Sequence, residues 1–341
     1  MRKDIEIRKV QQVGQSTLTV SLPKYWVNRV GLKRGDVVVF VTDDDGSLKL
    51  FTNSMVSEFS EPECLVEVKA FKKKGTLSRA IIAAYEIGYD RIKIVSDKTL
   101  TKEQIKEVRS AVEELVGVGV IEQGLNYMLV QAMVDPTKFP LEGLKKRIST
   151  LISSMLLMIM KLVRGEGEDS IEEISYVKEE LDKLCRLAIR QVFLASECRV
   201  VARKIGAGYV TNLIEDRMVI GILQKVGATL LNLALLLSKE PTTRRKSRTP
   251  IFDVLSRILK GTLELIESPN IEATSEIITE AEKRISELHA EGEKLKGAHS
   301  NGIAWLIRQL FDYCTLICEV MANRCMEEFA PSCMVRRIRL T

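Results

Sequence analysis

The chain has 341 residues, 45% of them hydrophobic and 28% charged, with a net charge of +5. That is an ordinary soluble balance, long enough for two or three domains at about 150 residues each. The two histidines, His289 and His299, are too few for a histidine-rich metal site. The most apolar stretch, around Leu151 to Val163, is interrupted by Ser153, Ser154 and Lys161. It falls short of the about 20 apolar residues that span a bilayer. Met1-Arg2-Lys3-Asp4 leads into no apolar signal segment, so the expectation is a cytoplasmic protein and not an integral membrane one.

Residues 1–52 read as strands and turns. Ile5, Ile7 and Val10 alternate roughly with charged residues, and Leu18, Val20 and Leu22 alternate with Thr19 and Ser21. Pro23 opens a short helix, Lys24 to Val30, because proline is tolerated at a first helical position, and Gly31 ends it. Val37 to Val41 is a β-branched run. Asp43-Asp44-Asp45-Gly46 is a hairpin turn, and Leu48, Leu50 and Phe51 make a last strand. The segment carries nine Lys and Arg against six Asp and Glu, three of the acids sitting in the one turn.

Residues 63–134 predict the order β-α-β-α-β-β, a small α/β sandwich with its helices on one face. The strands are expected at Leu65–Val68, Arg91–Val95, Val118–Gln123 and Tyr127–Met133. The helices are expected at Thr76–Ile87 and Lys102–Leu115, the second opened by Thr101 and Gln104 at capping-box spacing. Lys72-Lys73-Lys74-Gly75-Thr76 runs into the N-terminus of the first helix, where backbone N–H groups offer a place for an anion, but it lacks the Walker pattern and reads rather as a plain basic loop.

From Pro140 onward apolar residues recur at three and four spacing. Helices are expected near 141–164, 169–204, 209–239, 250–267, 271–296 and 300–329. Gly165-Glu166-Gly167 separates the first two, and Asp169 with Glu172 marks a helix start. Pro241 to Pro250, with Arg244, Arg245, Lys246 and Arg248, reads as a polar linker of solvated charge, as does the Arg336-Arg337-Ile338-Arg339 tail. Three helices, a linker and three more helices suggest an internal duplication. Cys314, Cys318 and Cys325 lie at helical spacing and read as small core hydrophobes.

Arg8-Lys9-Val10, Gly14-Gln15-Ser16, Thr19-Val20-Ser21-Leu22-Pro23-Lys24, Gly31-Leu32 and Arg34-Gly35-Asp36-Val37-Val38 occur in that order. This arrangement resembles the AbrB/MazE (SpoVT-AbrB) swapped-hairpin family. The resemblance implies a homodimer with interlaced hairpins that binds double-stranded DNA. The residues it points to for DNA are Arg8, Lys9, Gln15, Ser16, Thr17 and Lys24. A module this small buries too little surface to be stable alone, which independently favours pairing.

Lys178-Glu179-Glu180-Leu181-Asp182, Leu223-Gln224-Lys225-Val226-Gly227-Ala228-Thr229 and Ile307-Arg308-Gln309-Leu310-Phe311-Asp312 resemble helices of PhoU-type bundles. An AbrB-like head on a PhoU-like body resembles archaeal phosphate-uptake regulators. The resemblance implies a DNA-binding transcriptional regulator. The alternative is an adaptor to a phosphate transporter ATPase or sensor kinase, with the head serving dimerisation only. The family's carboxylate pairs on third helices fall here at Gln224 and Ala228, and at Arg308 and Asp312. Glu179, Asp182 and Asp312 are therefore weak metal candidates. Glu179 and Asp182 read as surface charges, and Arg308–Asp312 as an i,i+4 ion pair. No cofactor and no enzymatic activity are expected. The fold class expected is multidomain α+β and mostly α. Its segments are a swapped-hairpin β-barrel head (1–55), an α/β sandwich (62–138) and two PhoU-like three-helix bundles (140–240 and 250–330).

Overall fold

The computed structural model describes residues 6–14, 16–42, 48–52, 63–166, 170–197, 199–207, 210–292 and 298–329. It divides into two units, Met1–Pro62 and Glu63–Thr341. The Asp43–Gly46 turn, Asp169, Gly297 and the Arg336–Arg339 tail lie outside the described residues.

The first unit holds two antiparallel strand pairs and one helix. Strands β1 (Gln11–Val13) and β2 (Thr17–Thr19) pair about Gly14, whose φ of 70° suits a glycine. Helix α1 (Lys24–Val30) starts after Pro23 and closes on Gly31 in the left-handed region, where the Leu32 N–H donates to the Val27 carbonyl. Strands β3 (Val38–Thr42) and β4 (Leu48–Thr52) form the second pair. Ile7 and Val10 were expected in a strand, but residues 6–10 carry no regular structure and pair with no strand among the described residues.

The second unit opens with a four-stranded sheet. Its strands are β5 (Glu63–Glu67), β6 (Arg91–Val95), β7 (Val118–Gln123) and β8 (Tyr127–Ala132), in the order β5-β6-β8-β7. β5 and β6 are parallel and the other pairs antiparallel. Helices α2 (Thr76–Glu86) and α3 (Lys102–Glu113) cover one face. Ile81, Ile94, Val108, Met128 and Val130 are fully buried between sheet and helices. Thr101 and Gln104 form the expected capping box.

The body is helical. Its elements are α4 (Leu141–Arg164), α5 (Ser170–Glu197), α6 (Arg199–Lys204), α7 (Val210–Leu237), α8 (Thr242–Ser247), α9 (Thr249–Glu267), α10 (Ile271–Gly292) and α11 (Ala298–Phe329). α4, α5 and α7 pack on one another, as do α9, α10 and α11. The sets meet through α7 against α11 and α4 against α9, which are like positions in the two sets. One core runs through both, including Ile148, Leu223, Phe252 and Leu310. Full burial of each such side chain contributes about 1.5–3 kcal/mol.

Two expectations are corrected. The most apolar helix is Thr211–Leu237, not the stretch near Leu151, and it is long and apolar enough to cross a membrane. Its apolar faces point in several directions because α4, α5 and α11 surround it, burying Val219, Leu223, Leu230 and Leu233. The segment Pro241–Pro250 is not a solvated linker but helix α8 running into α9. Glu240, buried in the turn that follows α7, receives Arg248 in a bidentate pair (2.9 Å each) and Arg244 at 3.5 Å. Arg245 is itself buried. Thr242 and Lys246 pack so close to Gly165 that no side chain fits there.

Candidate nucleic-acid interface

The described part of the head buries no hydrophobic side chain. Ile7 is 90% exposed, Leu18 70% and Phe40 59%, and Val10, Val13, Val20, Val37 and Leu48 are exposed as well. Patches of this kind on so few residues mark a surface made to be covered.

The cations expected to meet phosphate divide into two groups. Lys9 and Lys24 are exposed and make no ion pair among the described residues. Arg8 is held by Glu6, with its Nε and Nη2 donating to one carboxylate oxygen at 3.1 and 2.5 Å. Its charge is therefore partly neutralised. Ser16 and Thr17 are exposed at the β1–β2 turn, beside Gln15, which lies outside the described residues. Thr19 Oγ1 donates to the Gln11 carbonyl across the pair. The Asp36 carboxylate accepts the Lys33 N–H at 2.7 Å and fixes the bend before β3.

In the body, the three weak metal candidates are dispersed. Glu179 is exposed. Asp182 is not a plain surface charge, because Lys178 Nζ donates to one of its oxygens at 2.5 Å and Gln224 Nε2 to the other at 3.1 Å. An ammonium and an amide thus occupy the oxygens that a metal would need. Asp312 faces Arg308 at 3.9 Å, a loose form of the expected pair. Among the described residues no three His, Cys, Asp or Glu side chains gather as a metal site would require. Cys314 and Cys318 are buried beside Thr262, and burial pushes their thiols up to about 12 and about 11. Burial does the same to Cys185, up to about 12. Such thiols are poor nucleophiles and poor ligands.

Sequence reasoning missed two polar constellations. Lys145, 1% exposed on α4, donates to Asp216 on α7 at 2.9 Å, and Arg324 on α11 donates to the same oxygen at 3.0 Å. Arg324 also pairs with Glu215 at 2.9 Å. Burial alone would lower the Arg324 pKa, but Asp216 and Glu215 raise it overall.

The second constellation joins the α/β layer to the body. Arg190 on α5, also 1% exposed, donates to the carbonyls of Tyr85 (2.6 Å) and Tyr89 (2.9 Å) and to the Asp90 carboxylate. Its guanidinium lies 4.7 Å from the Tyr85 ring centroid. Arg186, one turn earlier, reaches Glu114 at 2.6 Å and Glu86 at 3.5 Å. The available signal was a charge inside an otherwise apolar helical run, Leu187-Ala188-Ile189-Arg190-Gln191-Val192.

No curated protein matches the chain, and no solved structure does. Residues 11–54 match the family model described as antidote-toxin recognition MazE, bacterial antitoxin. The head whose apolar side chains lie open is thus a MazE/AbrB-type domain.

Proposed function

We propose that the protein is a homodimeric DNA-binding regulator rather than an enzyme. Its head grips duplex DNA, and its PhoU-like helical body receives a signal connected with phosphate uptake. The observation that carries this reading is the MazE-type head with an uncovered apolar surface and the exposed cations Lys9 and Lys24, which make no ion pair among the described residues. Interlacing two copies would bury the apolar side chains together and set two pairs of cations about a two-fold axis, where they can follow a phosphate backbone. The body's part rests on the duplicated three-helix arrangement, with α4, α5 and α7 answering to α9, α10 and α11.

Fluorescence anisotropy of the full chain with short labelled duplexes at low salt tests the reading. Binding is expected, with an affinity that falls steeply as salt rises. The double reversal Lys9→Glu, Lys24→Glu is expected to weaken it by at least about tenfold and to flatten the salt dependence. An absence of binding at low salt sinks the DNA reading. A dimer that persists without DNA binding would leave the head a dimerisation device only.

A further inference from the structure

The α/β layer carries a cluster of cations that the DNA reading does not use. β5 and β6 run parallel and each feeds a helix, so α2 and α3 both begin at the same end of the sheet, beyond the carboxyl ends of those strands. Ligands of open α/β sheets favour that edge. A cleft of about 710 Å³ opens there, lined by Phe71, Lys72, Lys73, Lys74, Thr101 and Lys106 among others. A second depression of about 570 Å³ shares Phe71, Lys72 and Lys73 and adds Arg79.

Lys72, Lys73, Lys74, Arg79 and Lys106 make no ion pair among the described residues, although nearby Lys69 pairs with Glu67 and Asp97. Against the four lysines of the larger cleft stand the carboxylates of Glu103 and Glu107, so its lining keeps an excess of positive charge that a bound polyanion would neutralise. The loop bearing three of these lysines is held in shape. Thr76 Oγ1 donates to the Lys73 carbonyl at 2.5 Å, and the Gly75 N–H donates to Glu107 Oε1 at 2.8 Å. That second bond also means the start of α2 is already occupied by a carboxylate of the protein, and the capping box closes the start of α3. The side-chain cations, not the helix ends, therefore remain to hold an anion. The cleft also holds an unsatisfied acceptor. Glu107 Oε2 is buried without a hydrogen-bond partner, and it calls for a donor such as a hydroxyl.

We infer that this cleft binds an oligophosphate, two or more linked phosphates held by Lys72, Lys73, Lys74 and Lys106. A nucleotide would add a sugar hydroxyl for Glu107 Oε2 and a base to lie on Phe71. An inorganic polyphosphate would use the cations alone. The inference stands apart from the head, since the residues that would hold the ligand lie between Phe71 and Glu107.

Isothermal titration calorimetry of the full chain with ATP, tripolyphosphate and orthophosphate, in low-salt buffer, tests it. ATP and tripolyphosphate are expected to bind, and orthophosphate more weakly than either. The double variant Lys73→Ala, Lys74→Ala, with an unchanged circular dichroism spectrum, is expected to weaken both by at least about tenfold. Lys225→Ala, an exposed lysine on α7, is expected to leave them unchanged. ATP binding more tightly than tripolyphosphate identifies a nucleotide, and equal affinities identify the phosphate chain as sufficient. Binding of neither ligand, or equal weakening by Lys225→Ala, overturns the inference. Loss of duplex DNA binding in the double lysine variant, without oligophosphate binding in the parent, overturns it in favour of a DNA contact.

Discussion

Asp216 is the residue on which the body's buried charge balance turns. It lies between Lys145 and Arg324, both almost wholly enclosed, and accepts from each at 2.9–3.0 Å. Removing one member of a buried ionic set leaves the others desolvated and uncompensated, which costs about 3–5 kcal/mol. Asp216→Ala is therefore expected to lower unfolding free energy by about that amount in urea titration, whereas Glu142→Ala should change it little. Glu142 also pairs with Lys145, at 2.7 Å, but its side chain is 64% exposed, where such pairs contribute about 0–1 kcal/mol. Equal losses in the two variants would contradict the assignment. Such sites are hard to read from a linear chain. Lys145 and Asp216 are 71 positions apart, and the local partner of Lys145, Glu142, is exposed and gives no sign that the lysine is buried.

At the scale of elements, what was legible was local. The strands Arg91–Val95 and Val118–Gln123 follow from apolar and β-branched patterning, and α3 begins where Thr101 and Gln104 cap it. The six long helices follow from apolar spacing to within a few residues, except that α5 and α6 were expected as one. What failed depended on distant partners. Four cations between two prolines read as a solvated linker, but buried Glu240 and the surface of α4 draw them into helix α8 and the start of α9. Asp182 read as a surface charge because Gln224, 42 positions away, was not visible as its partner. In the candidate interface the exposure of Lys9 and Lys24 agrees with their charge, but the pairing of Arg8 with Glu6 was not legible. The same limit applies to the junction of the α/β layer with α5. Arg190 satisfies two carbonyls and a carboxylate there, a planar set of donors that lysine cannot reproduce. Arg190→Lys is expected to destabilise the protein by about 1–3 kcal/mol. It should also speed hydrogen exchange at the end of α2 and the turn that follows, residues 85–90. Exchange unchanged there would mean that Arg190 does not hold the layer.

The whole molecule pairs a unit rich in buried side chains with one that has none among its described hydrophobic residues. The body, with its continuous core, is expected to keep its structure whatever its concentration. The uncovered head has a different thermodynamics. A surface completed only by a second copy makes folding second order in protein, so mass action governs it. Each tenfold dilution should then remove about 1.4 kcal/mol from the head's apparent stability and leave the body's unchanged. Trp26 lies in the head and Trp305 in the body, so single-tryptophan variants can follow the two transitions separately. The Trp26 transition should move with concentration and the Trp305 transition should not. A Trp26 midpoint constant over a hundredfold range would show that the head is complete in one chain. On this account the number of copies in the cell sets how much of the protein has a folded head, and expression level itself becomes an input to regulation.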